Sequence, residues 1–171
     1  EPGQELIRDI AKTADVVIEN YKVGALARYG LDYESLKAIN PKLVYCSITG
    51  FGQNGPRAEE PGYDFIIQGM SGLMSITGEA DDVPGGGAQK VGVAVVDIQT
   101  GLYATIAIQA ALLARHHTGK GQYIDMSLLD VQVAALANQG MNYLTSGTAP
   151  KRMGNHHPNI VPYQTFKAKD K

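Results

Sequence analysis

The segment from Asp97 to His117, DIQTGLYATIAIQAALLARHH, sets the strongest limit on how this chain folds. Its spacing predicts one helix, and apolar residues occupy most of its circumference. A helix of that kind is buried, so other layers must cover it. The apolar run Val93-Ala94-Val95-Val96 leads into it, and Thr118-Gly119-Lys120-Gly121 ends it. The apolar stretches are interrupted by Gln, Thr or Asp and fall short of the ~20 residues that a membrane span needs.

The remaining pattern supplies those layers. Leu6, Ile7, Ile10 and Ala14 predict an amphipathic helix over 3–14. Short β-branched or apolar runs predict strands at 15–18, 43–48 and 123–127. Between the first two lie short helices at 25–29 and 33–40, stopped by Gly30 and Pro41. A helix over 63–77, weakened by Gly69 and Gly72, and an apolar helix over 128–144 complete the set. Tyr163-Gln164-Thr165-Phe166 reads as a late strand in a loop tail. Strand, loop, helix and strand again is the rhythm of a parallel α/β sheet.

Charge excludes some functions. The formal net charge is −2 over 171 residues, and no basic footprint for nucleic acid is present. Cys46 is the only cysteine, so no intrachain disulfide forms, and its apolar run marks a buried structural thiol in a reducing compartment. The pairs His116-His117 and His156-His157 do not read as a metal site, because adjacent helical residues point roughly 100° apart. Gly52-Gln53-Asn54-Gly55 and Gly85-Gly86-Gly87 lack the spacing of a phosphate or dinucleotide loop. Gly69-Met70-Ser71-Gly72 is not a nucleophile elbow. Asp125 and Asp130 flank a strand-to-helix step, where capping or solvation explains both.

Asp97 stands apart. It opens the long apolar helix, where a carboxylate serves either as an N-cap or as a nucleophile kept ionised by the helix dipole. Spacing alone leaves both readings open.

Several blocks resemble class III CoA-transferases. Val17 to Leu31, VIENYKVGALARYGL, looks like the VxENxxPGxLxRxGL signature of that family, with Val23 where Pro is usual. The resemblance continues through Tyr45–Gly52 (YCSITGFG), Pro61–Asp64 (PGYD), Gly72–Gly78 (GLMSITG), Asp97–Gly101 (DIQTG) and Thr118–Gln122 (TGKGQ). It implies a Rossmann-like α/β fold within an interlocked homodimer. Residues 1–145 would belong to the large domain, and 146–171 would begin the linker to a small domain. It also implies that Asp97 is the covalent nucleophile and that Asn20, Tyr21, Lys22, Arg28, Tyr63 and Asp64 contact coenzyme A. The substrates would be acyl-CoA and small carboxylic acids. No permanently bound cofactor, metal, nucleic acid or membrane is expected, and the location would be cytoplasmic, or mitochondrial or peroxisomal in a eukaryote. Backbone N–H groups at the helix start are expected to stabilise the oxyanions of acyl transfer. The block Asn159–Phe166 resembles members acting on succinate and glutarate.

Two alternatives accompany this reading. One is a 2-methylacyl-CoA racemase of the same superfamily, disfavoured because Tyr63 stands where the racemase has its His, and a phenol is a poor base at pH 7. The other is an inactive truncated module that binds coenzyme A or dimerises. The chain reads as an internal piece of a longer protein.

Overall fold

The computed structural model describes residues 2–170. Three parallel strands, β1 (Val16–Glu19), β2 (Val44–Thr49) and β3 (Tyr123–Ser127), form one sheet in the order β1-β2-β3. Val16 pairs with Val44, Tyr45 with Tyr123 and Thr49 with Ser127. Helices α1 (Pro2–Ala11), α2 (Tyr33–Ile39), α3 (Asp64–Met70), α4 (Leu73–Ile76), α5 (Val95–Thr118), α6 (Leu128–Ala134) and α7 (Ala137–Ser146) surround it. The α/β class and the parallel sheet match the sequence pattern.

Strand β2 is central and therefore buried on both faces. Its side chains alternate between two cores. Tyr45 joins Ala11, Leu31, Leu36 and Leu43 under α1 and α2. Val44 and Cys46 join Ala104, Ile108 and Ala111 of α5 on the other face. Burial pushes the Cys46 thiol up to about 11, which leaves it inert. The Tyr45 hydroxyl donates to the Leu31 carbonyl at 2.9 Å, so this buried phenol is satisfied. A third cluster, Ile67, Val96 and Leu128, joins α3, α5 and α6 beside Ile48 and Phe51.

Several expectations change. The helix expected over 63–77 is two helices, because Gly72 adopts φ 90° between them. The helix expected over 128–144 also breaks, and Ala137 takes φ 49° at the start of α7. Nothing in the residue types at 135–137 marks that break. Residues 27–29 form a 3₁₀ turn closed by left-handed Gly30. The late strand at 163–166 does not form. Tyr163 instead accepts the His157 amide at 3.0 Å and packs its ring against the His157 imidazole. The segment has no strand to pair with, and a strand needs a neighbour for its backbone groups.

Helix α5 begins at Val95 and spans 24 residues, longer than the sequence pattern implied. By length and composition it is long and apolar enough to cross a membrane. Its Val96, Thr100, Ala104, Ile108 and Ala111 are buried, four of them at four-residue spacing, as in the core helix of a globular fold. The opposite stripe, Ile98, Leu102, Ile106 and Leu113, is 55–65% exposed. Side chains four apart are neighbours on a helix, so the first three form a continuous apolar strip.

That strip generates an expectation for the isolated chain. It should self-associate, and Leu102→Glu with Ile106→Glu should shift it toward monomer without loss of helix content. Sedimentation velocity across a concentration series, with circular dichroism as the fold control, checks this. A concentration-independent monomer for the unaltered chain contradicts it.

Candidate active site

In a parallel α/β sheet, ligands bind beyond the carboxyl ends of the strands. Helix α5 shows which end that is. Arg115, near its C-terminus, donates to Asp15 Oδ1 at 2.7 Å and to the Lys42 carbonyl at 3.0 Å. Both partners precede strands β1 and β2. Asp97 therefore lies about 27 Å away along the helix axis, beyond the carboxyl ends.

At the same edge a cleft of ≈ 160 Å³ is lined by Asn20, Tyr21, Lys22, Thr49, Gly50 and Tyr63, together with Glu59 and Glu60. Two features shape it. The Asn20 amide donates to the Ile48 carbonyl at 2.6 Å, which ties the loop after β1 to β2. Gly50 and Gly62 approach so closely that a Cβ on either would overlap the other's backbone. The Gln53 amide donates to both Asp125 oxygens at 3.1 and 2.9 Å, anchoring the glycine loop to β3. Asp125 thus pins a loop, whereas the side chain that caps α6 is Ser127, accepting from the Asp130 amide at 3.3 Å.

The structure groups the six predicted coenzyme A contacts unequally. Asn20, Tyr21, Lys22 and Tyr63 share the cleft, and the rings of Tyr21 and Tyr63 stand open to solvent. Arg28 lines a neighbouring cleft of ≈ 600 Å³, which Tyr21 also borders. Its guanidinium lies 4.6 Å from the centre of the Tyr29 ring. Asp64 lines neither cleft. Its Oδ1 accepts the Val96 amide at 2.8 Å, and its Oδ2 accepts the Gln68 side-chain amide at 2.7 Å.

Asp97 is not an N-cap. The cap position is Ala94, whose side chain offers no acceptor, and Asp97 is the third residue of the helix. The capping acceptor arrives from α3 as Asp64. One backbone donor that the sequence assigned to oxyanions, that of Val96, is already taken by Asp64. Asp97 is exposed, as are its apolar neighbours Val93 and Ile98. Its carboxyl is pushed above the ordinary value, first by desolvation and then by the negative charge of Asp64. This opposes the pull of the helix dipole, which favours the anion.

Gln68 is the residue beside the site that sequence reasoning missed. It is fully buried and bridges Asp64 to the Val91 amide, which donates to its Oε1 at 2.8 Å. The available signal was its position four residues after Asp64, a spacing at which Asp and Gln pair on a helix. Among the described residues no group of three His, Cys, Asp or Glu side chains is placed to hold a metal ion.

The α/β fold with its parallel sheet is shared with known proteins. The sequence matches CoA-transferase family III over residues 1–171, and the chain belongs to that family. It is 62% identical over 168 residues to a succinate–glutarate CoA-transferase of Agrobacterium fabrum, covering 98% of this chain and 41% of that protein. It is 46% identical over 168 residues to the human succinyl-CoA:glutarate CoA-transferase, covering 98% of this chain and 37% of that one. Among solved structures, a CAIB/BAIF family protein from Brucella suis superposes with a TM-score of 0.90 at 64% identity, over 99% of this chain and 44% of that chain. The chain thus spans about two fifths of the length of these relatives.

The raised Asp97 carboxyl has a consequence for stability. Where the unfolded chain has already released this proton, the folded chain still holds it. Folding then takes up protons, so Asp97 lowers stability as pH rises from the ordinary value of 3.8 through its own higher value. Asp97→Asn should therefore melt higher than the parent at pH 7, with the difference vanishing below pH 3.8. Thermal unfolding at both pH values checks this, and a lower melting temperature for the variant at pH 7 contradicts it.

Proposed function

We propose that this chain carries the nucleophile of a CoA-transferase that moves coenzyme A from a dicarboxylic acyl-CoA to a dicarboxylic acid through a thioester on Asp97. The observation that carries the reading is an exposed carboxylate in the first turn of α5, its proton held by desolvation and then by the charge of Asp64, at the same sheet edge as the Tyr21–Lys22–Tyr63 cleft. The names of the relatives support the dicarboxylate pair.

The chemistry follows from the carboxylate. An Asp97 oxygen attacks the donor thioester carbonyl, the carbon–sulfur bond breaks, and a mixed anhydride and CoA thiolate result. The thiolate attacks the aspartyl carbonyl of that anhydride and releases the donor acid. This leaves Asp97 as a thioester, and the acceptor carboxylate runs the two steps in reverse. The bond energy of the thioester passes from donor to acceptor. Partial desolvation makes the carboxylate a better nucleophile, and the charge of Asp64 makes its acylated, neutral form less costly than its anion.

Binding falls to the clefts. Lys22 and Arg28 supply cations for the phosphates, and the guanidinium plane of Arg28 suits two phosphate oxygens at once. The rings of Tyr21 and Tyr63 offer faces for the adenine and for the arm that leads to the thiol. In the whole protein a second subunit would cover the open stripe of α5, as the interlocked homodimer requires, and residues 146–171 would lead to the small domain.

The test uses a protein of full family length. Asp97→Ala should reduce transfer from succinyl-CoA by at least about 10³-fold while the fold persists. Hydroxylamine added during turnover of the unaltered enzyme should convert Asp97 to a hydroxamate, seen by peptide mass spectrometry. Activity within tenfold of the parent after Asp97→Ala excludes Asp97 as nucleophile.

A further inference from the structure

We propose that Gln68 is a positioning residue that sets the place of Asp97, an inference that rests on reading Asp97 as the nucleophile. Gln68 is buried to the last atom in α3, a site where a polar amide is costly unless both ends are used. Both are used. Its Oε1 accepts the Val91 amide at 2.8 Å, and its Nε2 donates to Asp64 Oδ2 at 2.7 Å. Asp64 Oδ1 then accepts the Val96 amide at 2.8 Å. One turn of α3 therefore grips the incoming segment at two backbone amides, and Asp97 is the residue immediately after the second.

The amide has only one workable orientation. Reversed, its NH₂ would face the Val91 N–H, donor against donor, and its carbonyl would face the Asp64 carboxylate, acceptor against acceptor. The Val91 contact thus fixes which end of Gln68 meets Asp64 and keeps the Asp64 oxygens aimed at the helix start. Ala94 contributes no side-chain cap, so the side-chain acceptor for the first turn of α5 comes by this route, beside the apolar packing of Val96 on Ile67 and Leu128. The preceding loop, with Gly85, Gly86, Gly87 and Gly92, has little of its own to hold that turn in place. A nucleophile displaced by about 1 Å loses up to about 100-fold in rate while the binding surfaces remain.

Two variants in a protein of full family length test the proposal. Gln68→Met keeps side-chain volume and removes both contacts. Gln68→Glu keeps the acceptor for Val91 and sets a carboxylate against Asp64. Both should fold and lower kcat by about 10- to 100-fold, with the KM for succinyl-CoA within about threefold of the parent, because the cleft residues are untouched. Amide hydrogen exchange should show Val91 and Val96 deprotected in Gln68→Met, but Val96 alone in Gln68→Glu. The proposal is overturned if kcat stays within threefold in either folded variant, or if exchange at both amides is unchanged. It is also overturned if kcat, KM and protection across the whole sheet fall together, the pattern of a merely structural residue. Full activity in Asp97→Ala would sink the nucleophile reading, whereas the exchange pattern would still report on the clamp, so the two failures are distinguishable.

Discussion

The carboxylate of Asp64 holds the N-terminus of α5, and the placement of Asp97 follows from that contact. An α-helix leaves its first amides without partners, and an acceptor from a nearby Ser, Thr, Asp or Asn commonly fills the need. Here the local residues are Val93 and Ala94, which offer none. The acceptor comes from α3, some thirty residues earlier in the chain, and the cluster Ile67, Val96 and Leu128 packs directly beside it. The start of α5 is thus a tertiary event. Its side-chain acceptor belongs to α3, which packs at the carboxyl ends of the strands, the edge that also holds the cleft.

The same contact brings two carboxylates together. Both Asp64 oxygens accept hydrogen bonds, and the Asp97 proton is held more tightly, first by desolvation and then by the negative charge of Asp64. A stable fold gains nothing from this arrangement, and groups of this kind concentrate where chemistry needs them. Under the proposed mechanism Asp97 is acylated, and the tension is then useful, because acylation removes the charge.

Much of this was legible in the sequence, for identifiable reasons. The strands at 43–48 and 123–127 were readable because β2 is apolar on both faces and β3 lies between a glycine stop and a new helix. The burial of Cys46 followed from its run of neighbours, and Asp97 was singled out because a carboxylate interrupts an otherwise apolar stretch. The misses share a cause. The start of α5 at Val95, the role of Asp64 as its cap and the bridge through Gln68 all depend on contacts between segments far apart in the chain. The break at Gly72 had a visible cause, but the one before Ala137 had none. The strand expected at Tyr163 failed because periodicity describes a strand and not its partner.

Oxygen exchange at Asp97 tests the central claim most directly. If an acceptor acid attacks a thioester on Asp97, the anhydride that forms links the two carboxyls through an acceptor oxygen. When CoA thiolate then attacks the acceptor carbonyl, that bridging oxygen stays on the enzyme. Turnover with a dicarboxylic acid labelled with ¹⁸O in both carboxyls should therefore leave ¹⁸O in the peptide that contains Asp97, and in no other carboxylate of the chain. Transfer of coenzyme A to the labelled acid with no label on Asp97 would contradict the account.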